Sequence, residues 1–166
     1  DVLEPYQPGE RLTVPGGVAF PDTCVGETST ETLHVCNTGT ENLDVTSVTS
    51  SNTQFTVVTP SSGFPVTISP DFCFPFQVKF TPTSTGSKST TFSVDTALAA
   101  DNCAADVEGT GRGARPRIVT AIADNGSFGD VCRDTFKDLT MVISNSGECD
   151  LSISNITSND PNFQPA

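Results

Sequence analysis

The chain contains one stretch twice, and this internal repeat constrains its fold more than any other feature. A shift of 108 residues places residues 20–55 on residues 128–163 without a gap, and ten of the 36 aligned pairs are identical. The identical pairs are Phe20/Phe128, Asp22/Asp130, Cys24/Cys132, Thr32/Thr140, Asn37/Asn145, Gly39/Gly147, Leu43/Leu151, Thr49/Thr157, Ser50/Ser158 and Phe55/Phe163. Self-similarity at a period near 100 residues indicates a repeated domain. We therefore predict an extended segment at 1–10, a first module at 11–113 and a partial second module at 114–166.

Alternating apolar and polar residues indicate β-strands throughout. The clearest run, residues 74–80, places its apolar residues at alternate positions, and residues 11–14 and 17–20 are predicted to form one strand interrupted at Pro15. About seven short strands separated by turns are typical of a β-sandwich. The expected fold class is all-β, a tandem of β-sandwiches. The second sandwich is incomplete, since the repeat stops before any counterpart of the 74–80 strand.

The net charge of −12, from 20 acidic and 8 basic residues, excludes several functions. Nucleic-acid binding requires a basic surface, and an anionic membrane would repel this chain. No stretch has the roughly 20 apolar residues of a membrane span. We expect a self-repelling acidic surface and no cofactor. The alternative is a divalent cation near Asp101-Asn102 or Asp124-Asn125-Gly126, although neither stretch has a defined ligand spacing.

The six cysteines indicate disulfides rather than zinc. They form no Cys-x-x-Cys pair, and His34 is the single histidine. Disulfides imply an oxidising compartment, so we expect an extracellular or cell-surface protein; buried reduced thiols are the alternative. The chain begins at Asp1 without an initiator Met or a signal peptide, which predicts a processed or truncated start.

No catalytic arrangement is visible in the sequence, and the chain is not expected to be an enzyme. His34 lies mid-strand, facing away from Leu33 and Val35, with no nucleophile motif around it. The stretch Gly109-Thr-Gly-Arg-Gly113 lacks the Lys-Ser/Thr of a phosphate-binding loop.

Several short motifs, taken in order, carry a family resemblance. They include Val35-Cys-Asn-Thr-Gly39, Val78-Lys-Phe-Thr-Pro82, Gly109-Thr-Gly111 and, in the second copy, Phe128-Gly-Asp-Val-Cys132. Together they resemble the ASH domain, as found in bacterial choice-of-anchor D surface proteins. The resemblance implies immunoglobulin-like sandwiches, related to major sperm protein and pilus-chaperone domains, that act in tandem as protein-binding or scaffolding modules without an active site. The cysteines favour the exported bacterial branch.

On an immunoglobulin-like topology, Cys36 ends a strand that pairs antiparallel with the strand starting at Cys73. We therefore prefer a Cys36–Cys73 bridge, which leaves Cys24 with Cys103 and Cys132 with Cys149. Cys24 and Cys132 are equivalent in the repeat yet would have different partners, so the other connectivities stay open.

The expected function is that of a non-enzymatic structural or adhesive module of an extracellular surface protein or filament, acting through strand edges. Its partners are other proteins or copies of itself. Phe72 is a candidate exposed contact. Residues 1–14, with Val2, Leu3 and Tyr6, are predicted to add as a strand to a neighbour's open edge, head to tail; a longer tandem chain that has been cut is the alternative. The alternative function is a carbohydrate- or protein-binding module, with calcium at the acidic turns.

Overall fold

The computed structural model describes residues 12–97 and 105–165 and divides the chain into two compact units, Asp1–Ala114 and Arg115–Ala166. Regular structure within those ranges is almost entirely β-strand, with one short 3-10 turn. In this part of the chain, no helix has the length and hydrophobicity needed to cross a bilayer.

The first unit is a β-sandwich. Its strands in chain order are β1 (Leu12–Thr13), β2 (Val18–Ala19), β3 (Thr23–Cys24), β4 (Ser29–Asn37), β5 (Leu43–Ser50), β6 (Phe55–Val57), β7 (Val66–Ile68), β8 (Cys73–Phe80), β9 (Gly86–Thr96) and β10 (Ala105–Ala114). One sheet has the order β1-β4-β8-β6. The other has the order β2-β10-β9-β5-β7, with β3 also pairing with β10. The predicted all-β sandwich is confirmed.

The core lies between the two sheets and is built from alternate strand positions. In the antiparallel β4–β8 pair, Leu33 lies opposite Phe76 and Val35 lies opposite Phe74. Side chains from both sheets are at most 7% exposed, and burying each large apolar one stabilises the fold by roughly 1.5–3 kcal/mol. The core residues are Leu12, Val18, Phe20, Leu33, Val35, Leu43, Val45, Val48, Phe55, Val66, Ile68, Phe76, Val78, Phe80, Phe92, Val94 and Val107.

Glycines on β10 make room for the aromatic part of this core. The ring of Phe80 stacks on Phe55 with centroids 4.5 Å apart. A Cβ atom on Gly111 would lie 2.7 Å from the Phe80 ring, and one on Gly109 would lie 2.6 Å from the Phe92 ring. Gly109 and Gly111 therefore allow two rings to pack closely against the β10 backbone, whereas a Cβ atom on the third glycine, Gly113, would meet the backbone of Ser84 instead.

The second unit contains one antiparallel strand pair. Strand β11 (Ile118–Ile122) pairs with β12 (Met141–Asn145), with Ile118 opposite Asn145. A 3-10 turn, Ala123–Gly126, follows β11, and its Asp124 and Asn125 adopt positive φ angles of 51° and 54°.

The strand prediction was wrong in detail at the start of the first module. Residues 11–14 and 17–20 do not form one strand, since β1 pairs with β4 in one sheet whereas β2 runs parallel to β10 in the other. The chain changes sheets at Pro15-Gly16-Gly17, where Gly16 has a φ of 101°, a left-handed conformation that glycine adopts readily. The two-residue strand β3 was not predicted, and β9 begins at Gly86, where a turn was expected.

Candidate interaction surface

The two copies of the repeat form the same Asn-x-Gly turn. In the first unit, the Asn37 Nδ2 group donates to the Glu41 carbonyl (2.7 Å) and Oδ1 accepts from the Gly39 amide (2.9 Å). In the second unit, the Asn145 Nδ2 group donates to the Cys149 carbonyl (2.6 Å) and Oδ1 accepts from the Gly147 amide (3.0 Å). Each bond joins positions related by the 108-residue shift, so the repeat encodes structure as well as sequence.

A second turn, before the phenylalanine that both copies share, is also reproduced. The Phe55 amide donates to the Asn52 carbonyl at 2.9 Å, and the Phe163 amide donates to the Asp160 carbonyl at 3.1 Å. The ring centroids of Phe55 and Phe20 lie 5.6 Å apart. The ring centroids of their counterparts, Phe163 and Phe128, lie 5.3 Å apart. The second unit therefore holds its aromatic pair as the first unit does.

The copies differ in what covers these residues. Met141, Ile153, Ile156 and Phe163 are 38–48% exposed. Their counterparts in the first unit are at most 6% exposed and belong to the core: Leu33, Val45, Val48 and Phe55. We call the second-unit residues Phe128, Met141, Ile143, Ile153, Ile156 and Phe163 the open face. Exposed apolar side chains are available for contacts with other proteins, so the open face is the candidate site.

One edge of β12 lies beside the open face. In the described part of the chain, β12 pairs with β11 alone. Its counterpart in the first unit, the second half of β4, pairs with β1 on one side and β8 on the other. The edge thus presents backbone N–H and C=O groups that can pair with a further strand.

The residues predicted as contacts lie elsewhere or outside the described ranges. Phe72 is 67% exposed in the first unit, just before β8, so its side chain is accessible. Val2, Leu3 and Tyr6 lie outside the described residues. The predicted donor segment of residues 1–14 needs correction, because Leu12–Thr13 already form β1, paired with β4 of the same unit. The open-face residues were not named from the sequence, although the repeat alignment carried the signal.

The cysteines follow the prediction in part. Cys36 and Cys73, opposite one another on β4 and β8, form the preferred disulfide. The Cys132–Cys149 pairing is wrong, because Cys132 is an exposed free thiol while Cys149 is disulfide-bonded. Cys24 is also disulfide-bonded. Its predicted partner, Cys103, lies outside the described residues. The equivalence of Cys24 and Cys132 in the repeat does not extend to their bonding.

The first unit offers a polar groove as an alternative site. A cavity of about 440 Å³ is lined by residues of β9 and β10 together with Phe20 and Asp22, and Asp22 forms an ion pair with Arg112. The lining residues are Phe20, Asp22, Ser87, Lys88, Ser89, Thr110, Gly111 and Arg112. Phe20 is only 7% exposed, so it offers little ring surface on which a sugar could stack. His34 is exposed on β4, opposite Pro75.

The acidic turns were the second part of the ligand-binding alternative. Within residues 12–97 and 105–165, no three His, Cys, Asp or Glu side chains cluster as metal ligands would. Asp101 and Asn102 lie outside these ranges. Asp124 and Asn125 are exposed on the 3-10 turn after β11.

Comparison with known proteins places the fold of the first unit. The ASH/PapD-like domain of human CEP192 (PapD-like domain 7) superimposes with a TM-score of 0.52 at 14% identity, covering 69% of this chain and 94% of that domain. The Vibrio cholerae VesB protease superimposes with a TM-score of 0.50 at 14% identity, covering 61% of this chain and 32% of that protein. A Porphyromonas gingivalis protein of unknown function superimposes with a TM-score of 0.50 at 18% identity, covering 67% of this chain and 50% of that protein. At such identities the likeness shows the fold alone, and this chain spans a third to a half of the two bacterial proteins.

No curated protein sequence matches the chain. The family described as HYDIN/CFA65/VesB-like, Ig-like domain matches residues 16–110, which is more than half of the sequence. This match agrees with the sandwich topology and with the ASH-like motifs. The chain belongs to the HYDIN/CFA65/VesB-like family of Ig-like domains.

Proposed function

We propose that this chain is a non-enzymatic structural or adhesive module of an extracellular protein, and that it acts through protein–protein contacts at the open face and the β12 edge. The observation that supports this most is the contrast between Phe55, 1% exposed, and its counterpart Phe163, 48% exposed. The same aromatic residue is core in one copy and accessible surface in the other. Covering Phe163 would stabilise a complex by about 1–2 kcal/mol.

The disulfides support the extracellular part of the proposal. The Cys36–Cys73 bridge joins the adjacent strands β4 and β8, and Cys73 is exposed whereas Cys36 is 8% exposed. Such bridges persist in oxidising compartments and are rare in the cytosol. The exported bacterial branch of the family, including choice-of-anchor D surface proteins, is the setting that fits this chemistry.

Sedimentation velocity over a range of protein concentrations tests whether the open face makes contacts between copies. We expect concentration-dependent association of the wild type, weakened by Phe163→Asp. Val25→Asp is the matched control, because Val25 is 41% exposed but lies in the first unit. A wild type that stays monomeric at every concentration, or that loses association equally in both variants, argues against contact between copies at this face.

The ligand-binding alternative rests on the polar groove and the acidic turns. Its test is a glycan-binding screen with and without calcium, together with the melting temperature in calcium and in chelator. Saturable glycan binding that is lost on Arg112→Ala would favour the groove over the open face as the functional site.

A further inference from the structure

The connection that follows β11 is longer than its counterpart in the first unit. Leu12 and Ile118 occupy the same strand position, since each lies opposite the asparagine of the Asn-x-Gly turn. Phe20 follows Leu12 by eight residues, whereas its counterpart Phe128 follows Ile118 by ten. The longer connection contains the 3-10 turn Ala123–Gly126.

This connection is exposed to solvent in both units. Residues 15–17 are exposed in the first unit, where the sandwich has both of its sheets, and Ala123–Gly126 are exposed in the second unit. A Cβ atom placed on Gly126 would meet no other atom within 4 Å. Solvent access is therefore a property of the connection itself and does not depend on what covers the open face.

The turn holds two residues other than glycine in the left-handed region. The φ angles are 51° at Asp124, 54° at Asn125 and 79° at Gly126. Asp and Asn tolerate this conformation better than most residues, but it is less favourable for them than the right-handed one. The Ser127 amide closes the turn by donating to the Asp124 carbonyl at 3.0 Å. An exposed turn with so few contacts opens readily.

Asn125 is followed by glycine, and this is the single Asn-Gly pair in the sequence. Glycine has no Cβ atom to keep its amide nitrogen away from the preceding side chain. The Asn125 carboxamide forms no hydrogen bond with another residue of the ranges 12–97 and 105–165. The carboxamide of Asn145, in contrast, is bonded at both ends. Asn125 is thus free to rotate towards the Gly126 nitrogen.

We propose that Asn125 is a site of spontaneous modification, converted to aspartate and isoaspartate through a cyclic succinimide. The Gly126 nitrogen loses its proton to base and bonds to Cγ of Asn125, while Nδ2 takes up a proton and leaves as ammonia. Water then opens the ring. Cleavage of the bond from nitrogen to Cγ gives aspartate, and cleavage of the bond from nitrogen to the main-chain carbonyl carbon gives isoaspartate. Both products add one negative charge to a chain whose net charge is −12.

The native turn controls the rate of this reaction. At the Asn125 ψ of 29°, the Gly126 nitrogen lies nearly anti to the Cβ atom of Asn125, whereas ring closure requires a nearly syn arrangement. Rotation about the bond between Cα and the carbonyl carbon, which opens the turn, must therefore precede attack. Isoaspartate then lengthens the backbone between β11 and Phe128 by one carbon atom.

The test is incubation of the full chain at neutral pH for several weeks, followed by digestion and mass spectrometry with electron-transfer fragmentation, which distinguishes isoaspartate from aspartate. Asn125 should be modified at least about tenfold faster than Asn155, which is also exposed but precedes the β-branched Ile156. Asn145, which precedes Ser146, should also stay unmodified on this timescale, because its carboxamide is held at both ends.

The Asn125→Gln variant is the matched control. It keeps the carboxamide, but its longer side chain would have to form a six-membered ring, so the more acidic species seen for the wild type on isoelectric focusing should not appear. The wild-type rate should rise with pH, because base removes the Gly126 amide proton. The proposal is overturned if Asn125 is modified no faster than Asn155, or if Asn125→Gln becomes acidic at the wild-type rate. Neither result bears on the proposed function, which depends on other residues.

Discussion

Replacing Gly111 with alanine places a methyl group against a fully buried aromatic ring. Gly111 faces inward on β10, and the new Cβ would lie 2.7 Å from Cδ1 and Cε1 of Phe80. Carbon atoms pack best at about 3.5–4.0 Å, so the ring or the strand must move by nearly an ångström. Phe80 is 0% exposed and stacked on Phe55, so the ring cannot rotate into solvent.

The expected cost follows from these contacts. Overpacking of a well-filled core costs about 1–3 kcal/mol. Alanine also reduces the conformational freedom of the unfolded chain, which returns about 0.4–1 kcal/mol. The Gly111→Ala variant should therefore lose about 1–2 kcal/mol of stability, corresponding to a fall in melting temperature of roughly 4–10 °C for a unit of this size.

Urea and thermal unfolding, followed by circular dichroism, measure this loss, and hydrogen exchange of β9 and β10 assigns it to the first unit. Thr110→Ala is the matched control, because Thr110 is the next residue on the strand and faces solvent; it should change stability by less than about 0.5 kcal/mol. The double variant Gly111→Ala/Phe80→Leu should cost less than the sum of the two single changes. A Gly111→Ala protein as stable as the wild type would refute the packing argument.

Three further predictions concern the turn, the disulfide and the ion pair. Asn37→Ala should lower the free energy of unfolding in urea by about 2–4 kcal/mol, because the buried carboxamide also donates to the Ile68 carbonyl at 2.8 Å. Asn145→Ala, at the exposed equivalent position, should cost less than about 1 kcal/mol. The double variant Cys36→Ser/Cys73→Ser removes a bridge that spans 37 residues and should lower the free energy of unfolding by about 3–4 kcal/mol. Iodoacetamide should label Cys132 in the native, unreduced protein. Detection of a Cys132–Cys149 peptide by mass mapping would contradict the labelling prediction. Asp22→Asn should change stability by less than about 1 kcal/mol, since both partners of the Asp22–Arg112 pair are about half exposed, and a larger loss would show that the pair is structural.

The sandwich was predictable from the sequence because its strands obey local rules. Alternation placed Phe76, Val78 and Phe80 in the core, where all three are at most 1% exposed. The Cys36–Cys73 bridge followed from pairing two strands antiparallel in the expected topology. Side-chain periodicity predicted the buried residues, and the pairing of the two strands came from the topology that the family resemblance implies.

Other features depend on contacts between segments distant in the sequence. The role of Gly109 and Gly111 requires knowing that the rings of Phe92 and Phe80 lie against β10. The separation of β1 from β2 depends on partners in two different sheets. The open face was implicit in the repeat, but the different exposure of Phe55 and Phe163 appears only once the covering strands are placed.

The Cys36–Cys73 bond also bears on how a tandem chain avoids pairing errors. β4 and β12 occupy corresponding positions in the repeat, so we expect both to compete for pairing with β8 when the complete chain refolds, since strand exchange between neighbouring repeats is a common cause of misfolding. Cysteine occurs at this position in the first copy, whereas the second copy has Ser144. The bond ties β8 covalently to β4, so we expect the oxidised chain to refold with β8 on its correct partner strand more often than the reduced chain.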